Sequence, residues 1–213
     1  MARTDTERIG VAIMARAPVL GKAKTRLIPA LGAEGAANLQ RWLMQRTVAM
    51  ALVADVGPVS LWCAGDQMHP DFRLCQAYGP VSLHAQPEGS LGHRMLAAAR
   101  GAATEAVILI GTDCPVLTAG LLREAVAALT TQDAVIFPAE DGGYVLIGMR
   151  FPHPALFSDI DWGSEHVMTQ TRRRLAALGW RWTEPVTLWD VDRPADYERL
   201  AVSIGDVRQV VLI

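Results

Sequence analysis

Apolar residues fall in short runs of Val, Ile, Leu and Ala, separated by longer stretches in which they recur every three or four positions. The first pattern suits strands and the second suits helices with one buried face. Ile9–Ala15, Val59–Ala64, Val81–Gln86, Ala106–Ile110, Asp133–Pro138 and Val145–Met149 are the predicted strands. Ala106–Ile110 is wholly apolar and bounded by Gly111, as expected of a strand buried on both faces of a parallel sheet. Helical spacing runs from Ala33 to Ala54, with Ala36, Leu39, Leu43, Val48 and Leu52 available to a core. Further helices are predicted over Met68–Tyr78, from about Ser90 to Ala103, from an N-cap at Thr118 through Leu129, and from a cap at Ser164 to Leu178. A last short helix holds Asp196, Tyr197 and Leu200, and Trp180–Trp182 and Val186–Trp189 read as strand pieces. Strands alternating with helices call for a single three-layer α/β/α domain over residues 1–213, with a mostly parallel mixed sheet. No repeat or low-complexity linker interrupts it.

Composition narrows the class. The 213 residues are 51% hydrophobic and 20% charged with a net charge of −2, which excludes nucleic acid and anionic membrane as main partners. The three cysteines, Cys63, Cys75 and Cys114, lack metal-type spacing and read as reduced and structural. The polar start, Met1–Glu7, precedes only a short apolar run, so neither a signal peptide nor a membrane span is expected, and the expected location is cytoplasmic.

The loops carry the candidate chemistry. In an α/β sheet the loops after the strands meet at one edge, where ligands bind. After the first strand comes Arg16-Ala17-Pro18-Val19-Leu20-Gly21-Lys22-Ala23-Lys24-Thr25-Arg26-Leu27, with four cations in eleven residues. Gly21 with Arg16, Lys22, Lys24 and Arg26 suits a phosphate-binding loop using both backbone N–H groups and side chains; the competing reading is a solvated basic loop. The loop is neither a Walker motif nor a GxGxxG fingerprint. After Ala106–Ile110 the chain delivers Asp113 at the strand end, suited to a divalent metal or merely to capping the next turn. Gln86-Pro87-Glu88-Gly89-Ser90-Leu91-Gly92-His93-Arg94 places Gly92 and Arg94 where a helix begins, facing the same crevice or solvent.

Asp141-Gly142-Gly143 is either an ordinary hairpin turn or a close backbone approach to a ligand. Asp190 and Asp192 lie two apart and point to opposite faces of extended chain, so one binds while the other caps or orients. Asp141, Asp161 and His166 are the candidates for a general base or acceptor contact. His69 and His84 have no partner at ligand spacing and read as structural; Arg172-Arg173-Arg174 reads as a solvated face.

Taken in order, Arg16-Ala17-Pro18…Gly21-Lys22…Lys24-Thr25-Arg26-Leu27, Gln86-Pro87-Glu88-Gly89…Leu91-Gly92…Arg94, Gly111-Thr112-Asp113-Cys114-Pro115, Pro138-Ala139-Glu140-Asp141-Gly142-Gly143-Tyr144, Trp162 and Asp190-Val191-Asp192-Arg193-Pro194 resemble the bacterial DUF2064 family, which is grouped with GT-A-fold glycosyltransferases. The resemblance covers nearly all of the stretch from Ile9 to Leu200. More distantly, Lys24-Thr25-Arg26-Leu27 and the Asp-Val-Asp run look like phospholactate guanylyltransferases and related nucleotidyltransferases. The likeness implies a nucleotide-diphospho-sugar transferase fold, with Mg²⁺ or Mn²⁺ held by Asp113 and by Asp190 or Asp192. It also implies that Lys22, Lys24 and Arg26 handle donor phosphates. Arg16 stands where the family more often has Lys, and Ser90 where Asp is common.

The leading expectation is a metal-dependent glycosyltransferase that moves a sugar from a nucleotide-sugar donor to a small acceptor. The alternatives are a nucleotidyltransferase joining a nucleoside triphosphate to a phosphorylated acceptor with release of pyrophosphate, and a nucleotide-binding protein without catalysis. Exposed Trp or Met side chains leave a homodimer open.

Overall fold

The computed structural model describes residues 9–102 and 105–204; the polar start and Ala103, the predicted end of one helix, lie outside the described residues. In chain order the strands are β1 (Ile9–Arg16), β2 (Val59–Ala64), β3 (Val81–Ala85), β4 (Ala106–Ile110), β5 (Ala134–Pro138), β6 (Tyr144–Met149) and β7 (Trp182–Thr183). The helices are α1 (Ile28–Ala54), α2 (Pro70–Cys75), α3 (Leu91–Ala102), α4 (Ala119–Ala128), α5 (Val167–Ala177) and α6 (Pro194–Ile204). One seven-stranded sheet has the order β3-β2-β1-β4-β6-β5-β7. β1 pairs in parallel with β2 and β4, β2 with β3, and β5 with β7, whereas β6 runs antiparallel to both β4 and β5. The sheet is thus mixed and mostly parallel, as the alternation of elements requires.

Its two faces bury separate cores. On one, Val11, Ile13, Leu61, Ile108 and Phe137 pack against Met44 and Val48 of α1, Phe72 of α2 and Leu122 of α4. On the other, Ala12, Leu109, Ile136 and Ile147 pack against Met95 and Ala98 of α3 and Met168 and Leu175 of α5. Alternate residues of a strand face opposite sides, so a strand covered on both sides must be apolar throughout; β4 is buried at all five positions. A third cluster, with Leu27, Leu39, Leu43, Trp189, Val191 and Leu200, fastens α6 and the segment before it to the outer flank of α1.

Several boundaries differ from the sequence expectation. A short helical turn with Pro29 at its start opens α1 at Ile28, and Gly32, at φ 70° and ψ 169°, breaks it there, so the long continuous helix runs from Ala33 as its spacing predicts. The helix expected from Ser164 begins at Val167, with His166 at its N-cap. Ser164 instead closes a local turn, its hydroxyl accepting from His166 N at 3.2 Å. Val186–Trp189 is no strand; it contributes a single bridge, Leu188 with Ala139. Thr118 caps α4 as its residue type predicts, accepting from Leu121 N at 3.2 Å. Among the described residues no helix is long and apolar enough to cross a membrane.

Candidate functional site

Strand order explains where the site must be. From β1 the chain moves outward through β2 and β3, then returns to the other side of β1 as β4. The crevice beyond the carboxyl ends of two such strands is the place where α/β sheets bind ligands. A cleft of about 650 Å³ opens there. Its walls include Arg16, Lys22, Lys24 and Arg26 from the loop after β1, Thr112 and Asp113 after β4, and Asp141 and Gly143 from the β5–β6 turn. On the α3 side they include Arg94, Tyr144 and Trp162, and Asp192 contributes from the C-terminal turn.

Asp113 is held from three directions. Its Oδ1 accepts from Thr112 Oγ1 at 3.3 Å, and Gln40 Nε2, reaching in from α1, donates to that same hydroxyl at 3.3 Å. Lys24 Nζ lies 2.8 Å from Asp113 Oδ1 and donates to the Val191 carbonyl at 2.6 Å. The backbone closes the link, Val191 N donating to Asp113 O at 2.9 Å. Residues 24, 113 and 191 are therefore tied into one unit, and Lys24 adopts a left-handed conformation, φ 46°, to reach it. The Lys24 side chain is only 4% exposed. Expected to meet phosphate, it instead neutralises Asp113 and pins the 190–192 turn.

The two aspartates of that turn diverge. Asp190 is near enough to Asp113 and Asp141 to feel their charge; burial first, then those two carboxylates, raises its carboxyl to about 6 despite the opposing pull of Lys24. Asp192 instead pairs with Arg26 at the cleft wall, Arg26 exposed and Asp192 partly so. Asp192 N donates to Asp196 Oδ2 at 3.1 Å, which starts α6.

Other expected residues are placed differently. The amides of Lys22 and Ala23 both donate to Val19 O, at 2.9 and 3.0 Å. Those two amides are taken up within the loop, its cationic side chains line the cleft, and Gly21, at φ 71°, supplies its bend from outside the cleft. A Cβ on Gly92 would lie 2.0 Å from the Phe157 carbonyl oxygen, and one on Gly142 2.4 Å from that of Glu165. Close packing therefore accounts for both glycines. Gly143 N donates to Asp141 Oδ1 at 2.9 Å, an Asx turn that fixes that carboxylate at the cleft wall. Asp161 binds Gln170 Nε2 at 2.7 Å. His166 is exposed and does not line the cleft. His69 caps α2, accepting from Asp71 N at 3.3 Å, and His84 stacks on Trp62 at 4.8 Å. Burial pushes the Cys63 thiol up to about 12 and those of Cys75 and Cys114 to about 11, which leaves them inert.

Four cleft residues escape the reading of the sequence for chemistry: Gln40, Gln86, Tyr144 and Trp162. Gln40, only 4% exposed, left a trace, being polar on the apolar face of a helix. Gln86 Nε2 donates to Ala15 O at 3.2 Å and Trp62 O at 2.8 Å, joining the ends of β1 and β2, while its Oε1 accepts from Arg94 Nη1 at 3.4 Å. Among the described residues, two buried side-chain polar atoms have no hydrogen-bond partner, Arg94 Nε and Tyr144 Oη. Each unpaired group costs roughly 1–3 kcal/mol in a closed site.

The donor chemistry of Asp113, Asp141 and Asp190 fits a hard divalent cation. All are carboxylate oxygens, and Asp190, raised first by burial, is raised further by the charges of Asp141 and Asp113. Among the described residues, however, no three such side chains are already gathered as a metal-binding group.

Residues 47–164, more than half of the chain, match the family model described as "Uncharacterized protein conserved in bacteria (DUF2064)". The chain belongs to the DUF2064 family. No curated protein matches this DUF2064 chain in sequence. Among solved structures it is similar to a candidate nucleotide-diphospho-sugar transferase from Desulfovibrio desulfuricans, with TM-score 0.84, 28% identity and coverage of 95% of this chain and 91% of that one. A cytidylyltransferase from Leptospira borgpetersenii gives TM-score 0.63 at 15% identity, covering 93% and 87%. Glucosyl-3-phosphoglycerate synthase from Mycobacterium tuberculosis, solved with Mn²⁺, UDP and glucosyl-3-phosphoglycerate, gives TM-score 0.57 at 13% identity, covering 96% and 77%. The last two likenesses concern the fold, which is that of nucleotide-diphospho-sugar transferases.

Proposed function

We propose that this DUF2064 protein is a divalent-metal-dependent transferase that takes a sugar from a nucleotide-sugar donor and passes it to a small acceptor. One observation carries the reading. Two carboxylates remote in sequence, Asp113 and Asp141, line one cleft with Arg16, Lys22 and Arg26, and a third, Asp190, is near enough to feel the charge of both. That combination of acids for a metal and cations for phosphate is what a departing nucleoside diphosphate requires. The superfamily likeness supports it, including a relative solved with Mn²⁺ and UDP.

Asp113 and Asp190 would hold Mg²⁺ or Mn²⁺, with Asp141 beside them. Bound there, the ion would neutralise charge on the diphosphate. Arg16 and Lys22, exposed on the cleft wall, bind the phosphate oxygens, and Arg26 joins them on release from Asp192. Lys24 keeps Asp113 aimed by its bond to Val191 O. The acceptor hydroxyl oxygen bonds to the anomeric carbon as the bond from that carbon to the phosphate oxygen breaks; Asp141 is the carboxylate on the wall suited to receive the acceptor's proton.

Nucleotidyl transfer is the second reading, favoured by three exposed cations in one loop, enough for a triphosphate. Calorimetric titration with nucleoside triphosphates and nucleotide-sugars, with and without Mg²⁺, separates the readings. Metal-dependent preference for a nucleotide-sugar is expected. Triphosphate preference with pyrophosphate release selects nucleotidyl transfer, and metal-independent binding without turnover leaves a binding protein. Asp113→Asn should weaken metal-dependent binding about tenfold or more while circular dichroism stays unchanged.

A further inference from the structure

We propose that the α3–α5 side of the cleft is a separate subsite for an oxyanion, a phosphate or carboxylate carried by the acceptor, with Arg94 as its anchor and Tyr144 as a second donor. The inference rests on the transferase reading, which it extends from the donor's phosphates to the other substrate.

The two sides of the cleft are built differently. On the α1 side, among the described residues, Lys24 and Arg26 already have carboxylate partners. On the α3 side, among the described residues, Arg94 is a half-buried cation without an ion pair, and its guanidinium makes a long hydrogen bond from Nη1 to the neutral Gln86 Oε1 at 3.4 Å. Arg94 Nε is buried and unpartnered, and so is the hydroxyl of Tyr144. Both are donors, and both residues line the cleft. Buried donors are almost always paired in folded proteins, so two left unpaired in residues that line one cleft are groups an oxyanion's acceptor atoms would satisfy. A guanidinium and a phenol together select a planar or tetrahedral oxyanion over a neutral group.

The wall behind them is fixed. Tyr144 meets the Trp162 ring edge-to-face at 6.2 Å, and Gly92 brings α3 so close that a Cβ there would lie 2.8 Å from Trp162 Nε1. Arg94 follows Gly92 by two residues on the same helix, and Gln86, anchored to the ends of β1 and β2, limits its swing. The arrangement holds the donors in place before any ligand arrives, which lowers the ordering cost of binding.

The test follows the Arg94 Nε–H resonance in ¹⁵N spectra of the full chain, identified by its loss in Arg94→Lys. Inorganic phosphate and acetate are titrated separately into wild type, Arg94→Lys, Tyr144→Phe and Lys22→Met. Saturable movement of that resonance by phosphate assigns a phosphorylated acceptor, and by acetate a carboxylic one; either supports the subsite. Affinity should fall about tenfold in Arg94→Lys, read on neighbouring amides, and a few-fold in Tyr144→Phe, with Lys22→Met unchanged. No movement with either anion overturns the proposal, as does a response that disappears in Lys22→Met, because the anion then sits on the basic loop. Nucleotide titrations separate this from the transferase reading. If Arg94→Lys weakens nucleotide binding tenfold, Arg94 serves the donor and the subsite assignment falls while the transferase reading stands. If wild type binds no nucleotide yet the Arg94 resonance responds, the subsite stands and the transferase reading falls.

Discussion

Two ion pairs in this cleft look alike on paper and differ in environment. Lys24 is 4% exposed and also satisfies a backbone carbonyl, whereas Arg26 and Asp192 are 64% and 39% exposed. Exposed pairs are worth little because water and salt compete for both partners. Lys24→Met should therefore destabilise by about 1–3 kcal/mol, with Asp113, itself 45% exposed, able to recover some hydration. Arg26→Met should cost less than about 1 kcal/mol. Urea unfolding of both variants measures the contrast, and equal losses would contradict it. Asp190 offers a second residue-level test. Its carboxyl rises to about 6 from the usual 3.8, so between those values the folded protein holds more protons than the unfolded chain. Stability then falls as pH rises through that window and stays lower above it. Metal-free Asp190→Asn should gain a few degrees in Tm at neutral pH and lose that slope. A Tm that drops instead would show the carboxylate to be stabilising.

Elements position these residues through contacts that leave no slack. α3 can approach the 157–162 segment only because residue 92 has no side chain. Gly92→Ala would gain helix propensity worth about 1 kcal/mol. The clash with the Phe157 carbonyl and the Trp162 ring is larger, since backbone cannot give way like a flexible side chain. A net loss of roughly 1–3 kcal/mol is expected, together with disturbed Trp fluorescence. Unchanged stability would show that α3 shifts freely. The β5–β6 hairpin is the other such device: Met168 N donates to Gly142 O at 2.8 Å, so α5 and the Asp141 turn move together.

The molecule as a whole gathers at one sheet edge side chains contributed from residue 16 to residue 192. A ligand bridging those loops must stabilise the whole fold, because the unfolded chain has no such site. At about one hundred times its Kd, a single ligand adds about 2.7 kcal/mol. For a domain of this size that is a rise of roughly 5–10 °C in Tm. The gain with a nucleotide-sugar should need Mg²⁺ and should vanish in Asp113→Asn. Equal shifts with and without metal would remove the carboxylates from ligand binding.

Much of the fold was legible in the chain itself. The bounds of β2 and β4, the Thr118 cap and the mixed, mostly parallel sheet follow from burial period, side-chain chemistry and breakers, all of them local. So does the grouping of acids and cations at one edge, since strand order carries those loops there. Local pattern says nothing about which charges neutralise one another. That Lys24 turns into a left-handed conformation to hold Asp113, that Asp190 faces the acids while Asp192 faces Arg26, and that Arg94 and Tyr144 are left without partners depend on contacts between residues far apart in sequence. Those pairings exist only once packing has chosen which groups lose their water, and the tertiary structure alone makes that choice.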